Sequence, residues 1–264
     1  MRVHVALSPA EFPELALGDG AAVVVDVLRA TSTVVAACVA GCRRVIPVAD
    51  AEAARSRAAR LAADRALLAG ERAGEPIPGF DLGNSPLEYT AERVGGRTII
   101  LTTTNGTRAM LAAGTAAAAA VAALTNVEAA ARWALGQARD LTVLCAGEAG
   151  AFSLEDAVCA GVLVARMRAA APGLELSDAA LAAVRLGEHY EARIGRLGED
   201  SHWARHLAAR GRAADVGACL RLAGTAMVPR FDAGSIVPDG AALTGLAAAT
   251  HTQPGRRLGP EPTR

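Results

Sequence analysis

The chain has 264 residues, 27 basic side chains that are all arginine, 27 acidic ones and no formal net charge. The balance removes the electrostatic case for a nucleic-acid or anionic-membrane partner, so any anion must be bound locally. The absence of lysine excludes Schiff-base chemistry, a P-loop and any phosphatase plan with a lysine beside its nucleophile, whereas arginine's planar fork suits phosphate, sulfonate and carboxylate.

In chain order, the opening MRVHVALSP lacks a secretory pattern. VVVDV (23–27) reads as a buried strand leading through LRATST into a helix that ends near Gly41, and VIPV (45–48) leads to a helix capped by Asp50 that runs through EAARSRAARLAADR. The apolar run ALLA precedes GERAGEPIPGFDLGNSP (70–86), which is too long for a connection of about 2–6 residues and predicts a lid or binding loop. SPLE (85–88) and TNVE (125–128) have the spacing of a capped helix start. TIILT (98–102) leads through TTNGT into RAMLAA, and LTVLCAG (141–147) leads through EAGAFS into LEDAVCAGVLVARMRAAA. The alanine-rich stretch 109–124, interrupted by Gly114 and Thr115, is shorter than the roughly 18–20 residues a membrane span needs.

Buried strands alternating with helices predict an α/β fold, layered α/β/α, with a mostly parallel or mixed sheet over residues 1–249. Two α/β subdomains around one cleft remain an option. The segment 177–224 reads as two or three helices that pack on one face or form a cap, and the proline-rich, aperiodic end at 250–264 is expected to be disordered. Cys38, Cys42, Cys145, Cys159 and Cys219 form no CxxC pair and read as small buried hydrophobes of a soluble, cytoplasmic protein.

Ligands of open α/β sheets bind outside the carboxyl ends of the strands, and three loops there carry unusual polar content. Asp26 ends the first strand, followed by Arg29, Thr31, Ser32 and Thr33; Thr102 to Thr107, with Asn105 and Gly106, follow the second; Glu148, Ser153, Glu155 and Asp156 follow the third. Hydroxyls and N–H groups at a helix N-terminus make an anion cradle, and Gly106 permits close backbone approach. The competing reading of each hydroxyl is an ordinary helix cap. An uncompensated carboxylate at Asp26 is costly and calls for a metal or an arginine, and oxygen ligands beside a phosphate cradle suggest Mg²⁺. For Glu155 and Asp156, placement in a first helical turn is explained equally well by the helix dipole. His202 and His206, four apart, lack an evident third zinc ligand, and Cys145 has no histidine near it in sequence; both are set aside.

DVLRATST (26–33), GERAGEPIPGFDLGNSPLEY (70–89), TTTNGTRA (102–109), GEAGAFSLEDAVCAG (147–161) and the closing MVPRFDAGSIVPDG together resemble the successive motifs of the 2-phosphosulfolactate phosphatase family of coenzyme M biosynthesis, over roughly residues 1–245. The resemblance implies an α/β/α protein and a Mg²⁺-dependent hydrolase that cleaves 2-phosphosulfolactate to sulfolactate and phosphate. The positions that match are Asp26, Arg29, Thr31, Ser32 and Thr33; Glu71, Asp81, Asn84 and Ser85; Thr103, Thr104, Asn105 and Arg108; and Glu148, Ser153, Glu155 and Asp156. The expectation is therefore Asp26 and Arg29 as catalytic, the loop hydroxyls with Asn84, Ser85, Asn105, Gly106 and Arg108 as substrate-binding, and Asp26, Glu71, Glu148, Glu155 and Asp156 around Mg²⁺. The partner is a small anionic phosphorylated substrate, with a homo-oligomer left open. The alternative is a binding protein that holds a phosphorylated or sulfonated metabolite without turning it over.

Overall fold

The computed structural model describes residues 1–61 and 66–239. The expected disordered end at 250–264 and residues 62–65 of the helix expected after Asp50 lie outside them; that helix already ends at Ala58, short of the expectation. The described residues form strands β1 (Arg2–Ala6), β2 (Ala21–Val25), β3 (Arg44–Pro47), β4 (Ala66–Arg72), β5 (Glu75–Pro76), β6 (Thr98–Thr102), β7 (Ala118–Ala122), β8 (Leu141–Cys145), β9 (Glu175–Leu176), β10 (Arg230–Asp232) and β11 (Ser235–Val237). The helices are α1 (Ala30–Val39), α2 (Ala51–Ala58), α3 (Ala91–Val94), α4 (Gly106–Ala113), α5 (Val127–Gly136), α6 (Leu154–Ala170), α7 (Asp178–Tyr190), α8 (Leu197–Asp200), α9 (His202–Leu207) and α10 (Ala213–Cys219).

The strands join in one sheet of order β5-β4-β6-β3-β11-β10-β7-β2-β8-β1-β9. It consists of two parallel halves, β4-β6-β3 and β7-β2-β8-β1-β9, spliced by the β10–β11 hairpin, which runs antiparallel to both neighbours. The two subdomains left open by the sequence are thus halves of one continuous sheet. Side chains alternate across β2 as the pleat requires. Val23 and Val25 enter one core with α5, α6 and α7, while Ala22 and Val24 enter a second core with α1 and α4. Both faces are covered, which explains why these strands are apolar throughout and not alternating.

Several local expectations shift. The alanine tract hides β7, a fully paired partner of β2, because alanine carries little strand signal of its own. Strand β1, the two-residue β5 and β9 and the three-residue strands of the hairpin were likewise not expected from the sequence. The glycine-rich segment 70–86 is only partly loop: β4 continues through Arg72 and returns as β5. SPLE forms no capped helix; Ser85 makes no cap bond, and only a single tight turn follows at Pro86–Glu88. Asp50 does cap α2, accepting from the Ala53 N–H at 2.8 Å. In TNVE, Asn126 replaces Thr125 as the anchor, accepting from the Ala123 N–H and donating to the Val121 and Met227 carbonyls. All five cysteines are buried and free. Among the described residues no helix is long and apolar enough to cross a membrane.

The packing of α6 on α7 matters for the site, because α6 carries Glu155 and Asp156. The contact is made through glycine: a Cβ on Gly161 would stand 1.8 Å from the Ala183 carbonyl oxygen, and one on Gly187 would stand 2.6 Å from the Val162 nitrogen. Overpacking of this kind costs roughly 1–3 kcal/mol or more. Gly161→Ala is expected to lower the thermal midpoint by about 5 °C or more. Gly136→Ala in α5, where a Cβ meets nothing within 4 Å, should leave the midpoint unchanged or raise it slightly by relieving glycine's helix penalty. Equal midpoints for the two variants in a thermal melt would contradict this packing.

Candidate active site

The carboxyl ends of β2, β4, β6 and β8 open onto one cavity of about 210 Å³, lined by Asp26, Arg29, Glu71, Gly74, Asn84, Thr104, Asn105 and Glu148, with Leu28, Ala73, Ala149 and Trp203 as its apolar wall. The sequence expectation brought the loops together by assuming neighbouring strands. The structure instead places β2 beside β8 but β6 in the other half of the sheet. Contact between the halves is made directly at Asp26, since a Cβ on Gly106 would stand only 2.5 Å from Asp26 Oδ2. Only glycine lets the start of α4 approach this carboxylate.

Asp26 is buried, and its Oδ1 accepts the Ala30 N–H at 3.0 Å, so the side chain caps α1. Burial pushes its pKa from 3.8 up to about 7; the Ala30 N–H opposes the shift, the charges of Glu71 and Glu155 add to it, and Arg29 opposes it weakly. Asp156 stands behind it, accepting the Val27 N–H at 2.8 Å and the Gly147 N–H at 3.0 Å. Its pKa is raised well above the ordinary value by burial and by the charges of Asp26 and Glu155. Glu155, also raised by burial, accepts the Ser201 hydroxyl at 2.7 Å. These two acids therefore brace the floor and do not line the cavity.

The other acids do line it. Glu71 accepts the Gly74 N–H at 2.7 Å, the Thr104 N–H at 2.6 Å and the Thr104 hydroxyl at 3.1 Å, which locks the β4–β5 turn to the loop after β6. Glu148 pairs with His202 Nδ1 at 2.9 Å at the cavity's edge. His206 does not join it, and its ring stacks on Trp203 with centroids 4.6 Å apart. The Cys145 thiol, fully buried, is pushed well up by burial and stays out of the cavity.

The hydroxyls after Asp26 turn inward. Thr31 Oγ1 accepts the Asp26 N–H and donates to the Asp26 carbonyl; Ser32 donates to the Val27 carbonyl, and Thr33 to the Asn84 carbonyl. They hold the loop's shape instead of facing a ligand. Thr103 bonds reciprocally with Thr107 as the cap of α4, and Arg108 lies exposed on its first turn. Of the residues expected to bind substrate, the cavity wall keeps Asn84, Thr104 and Asn105, with Gly106 pressed against Asp26. Ser85 is taken by Asp215, to which its hydroxyl donates at 2.6 Å. The buried Asn84 Oδ1 has no hydrogen-bond partner, and Asn84 belongs to the cavity wall, so this side chain is a candidate for a contact that a ligand supplies.

Sequence reasoning missed Asp215 and Trp203. Arg29 Nη1 donates to Asp215 Oδ2 at 2.5 Å and Nη2 to the Gly74 carbonyl at 2.7 Å. Both residues lie in the helical segment read as a cap, where one acid and one indole carry no distinguishing spacing.

The model of the 2-phosphosulpholactate phosphatase family matches residues 6–234. The chain belongs to this family. Relatives named "Probable 2-phosphosulfolactate phosphatase" include proteins of Symbiobacterium thermophilum, 40% identical over 226 residues (85% of this chain and 97% of the relative), and Gloeobacter violaceus, 39% identical over 243 residues (92% and 100%). A third, from Caldanaerobacter subterraneus, is 37% identical over 214 residues (81% and 88%). The resemblance read from the motifs is borne out. In this member of the 2-phosphosulpholactate phosphatase family, the motifs at 26–33, 70–89, 102–109 and 147–161 each place residues on the cavity wall.

Among the described residues no three Asp, Glu, His or Cys side chains are arranged to hold a metal by themselves. Mg²⁺ does not require that, since it binds through one or two carboxylates and keeps waters.

The shifted pKa fixes the sign of a pH effect. Asp26 stays protonated in the fold up to about pH 7 but ionises near roughly 3.9 in the unfolded chain. Between these values the folded state binds the extra proton, so stability falls as pH rises, by roughly 1.4 kcal/mol per pH unit from this group. In chelator-treated protein, Asp26→Asn should raise the thermal midpoint at pH 8 and flatten its decline between pH 4 and 7. An unchanged or lower midpoint at pH 8 would show that the carboxylate is not under this penalty.

Proposed function

We propose that the chain is a phosphatase that hydrolyses 2-phosphosulfolactate, or a closely related small anionic phosphate ester, to the free alcohol and inorganic phosphate, with Mg²⁺ as cofactor. The observation that carries this reading is the composition of the cavity: Asp26, Glu71 and Glu148 line it against a single guanidinium, Arg29, which already has a carboxylate partner. Three carboxyl groups on one cavity, two of them buried, demand a cation if they are to stay ionised beside a phosphate ester. The donors fit Mg²⁺ chemically, being hard oxygens that include the unpartnered Asn84 Oδ1. Asp26, with one of Glu71 and Glu148, would hold the ion. When bound, Mg²⁺ neutralises and polarises phosphoryl oxygens.

The chain's own groups supply the remainder. Arg29 has five N–H donors, of which two are used by Asp215 and Gly74; the others can clamp the phosphoryl group. The start of α4 at Asn105 and Gly106 adds the positive end of a helix dipole, the Thr107 N–H being taken by Thr103. The one of Glu71 and Glu148 that the ion leaves free, both on the cavity wall, accepts a proton from the attacking water. The water oxygen bonds to phosphorus, the ester P–O bond breaks, and the proton passes to the departing alkoxide. The apolar wall of Leu28, Ala73, Ala149 and Trp203 limits bulk water in the cavity.

Phosphate release from 2-phosphosulfolactate and a panel of small phosphate esters, with Mg²⁺ and with chelator, tests the reading. Mg²⁺-dependent release is expected, with Asp26→Asn lowering kcat/KM by about a hundredfold or more while circular dichroism stays native. Gly106→Ala should be nearly as damaging, because its Cβ would press on Asp26 Oδ2. Tight binding of the ester with no turnover under either condition would favour the binding-protein alternative.

A further inference from the structure

We propose that Asp215, with Ser85, is a positioning residue of the phosphate subsite that holds the Arg29 guanidinium open toward the cavity; the inference rests on the phosphatase reading above. The clamp gathers three distant segments on one side chain. Asp215 on α10 accepts Arg29 Nη1 at 2.5 Å across 186 residues of sequence, the Gly74 carbonyl in the β4–β5 turn accepts Nη2 at 2.7 Å, and Ser85 donates to the other Asp215 oxygen at 2.6 Å. Arg29, Asp215 and Ser85 are 3%, 5% and 5% exposed, so the group is desolvated and its geometry is held by bonds with both Asp215 oxygens occupied.

The alternative partners show what the clamp prevents. Arg29 shares the cavity with Asp26, Glu71 and Glu148. A guanidinium on a long, flexible stem would fall onto one of these carboxylates, which would cancel the positive charge and block a cation from the same oxygens. Asp215 does not line the cavity, so pairing with it costs the ligand no space. It fixes the plane of the fork and leaves the three N–H bonds not used by Asp215 and Gly74 for an anion. It also accounts for the failed cap at Ser85, whose hydroxyl is drawn to Asp215 instead of to a helix N-terminus. Through Asp215, which stands outside the cavity wall, α10 thereby becomes part of the anion site without touching the substrate.

The test compares Ser85→Ala, Asp215→Asn and Asp215→Glu with the unaltered chain in Mg²⁺, measuring binding of inorganic phosphate by calorimetry, KM and kcat, and the thermal midpoint. Asp215→Asn should weaken phosphate binding and raise KM about tenfold or more, with kcat changing less. Asp215→Glu should recover part of that loss, and Ser85→Ala should weaken binding a few-fold with a midpoint close to that of the unaltered chain. If Asp215→Asn does not fold, Ser85→Ala and Asp215→Glu decide. Phosphate affinity per folded molecule equal to the unaltered chain in these variants, even with lowered midpoints, would reduce the clamp to a structural tie and overturn the proposal. Failure of the unaltered chain to bind phosphate would overturn it as well. Phosphate binding that follows the expected order without ester turnover would support the clamp and count against the phosphatase reading alone.

Discussion

Asp26 sits where a carboxylate is hardest to keep ionised: at the end of a fully buried strand, flanked by Glu71, Asp156 and Glu155, with Arg29 the one guanidinium among the described residues that opposes them. Much of the surrounding structure can be understood as accommodation of that charge. The Ala30 N–H and the start of α1 meet one of its oxygens, glycine at 106 makes room for the other, and the hydroxyls of Thr31, Ser32 and Thr33 fix the loop that presents it. A fold optimised for stability alone would place an amide or an apolar residue here. Retaining the acid at a desolvated position among other carboxyl groups, where burial raises its pKa, leaves a charge that a cation would relieve.

The sheet geometry explains how residues from separate halves reach one point. The β10–β11 hairpin keeps β3 and β7 apart in strand order, yet α4 packs on β2 through Gly106, and Glu71 ties the β4–β5 turn to the loop after β6. Each half thus delivers acidic oxygens to the cleft from the carboxyl ends of its parallel strands, which is where such folds bind ligands. The helices after residue 176 close the third side. Ser201 bonds Glu155, His202 bonds Glu148, and Asp215 bonds Arg29, so three acids or bases of the site are each paired with a side chain from this cap.

The chemistry of the centre was legible because it interrupts pattern. One acid at the end of VVVDV, a glycine at a helix start and acids after LTVLC are expensive in those positions unless used. Strands β2, β3, β6 and β8 were legible as apolar runs between turns. What stayed hidden lacked local contrast. β7 is written in alanine, Asp215 is one acid in a helix 186 residues from its partner, and the single-pair junctions of the hairpin leave no period to read. The hydroxyls of RATST were legible as polar groups at a helix start, but not in their direction. A cradle and a brace have the same sequence, and only the backbone path, which returns the Val27 and Asn84 carbonyls to them, distinguishes the two.

The central claim is that Asp26 is the point at which cation and phosphate meet. A crystal structure of the chain grown with Mg²⁺ and inorganic phosphate tests it most directly. The account predicts an ion at about 2.0–2.1 Å from an Asp26 oxygen, with phosphate between it and the Arg29 guanidinium. An ion or phosphate bound away from Asp26, with the Asp26 carboxylate left to its protein contacts, would contradict it.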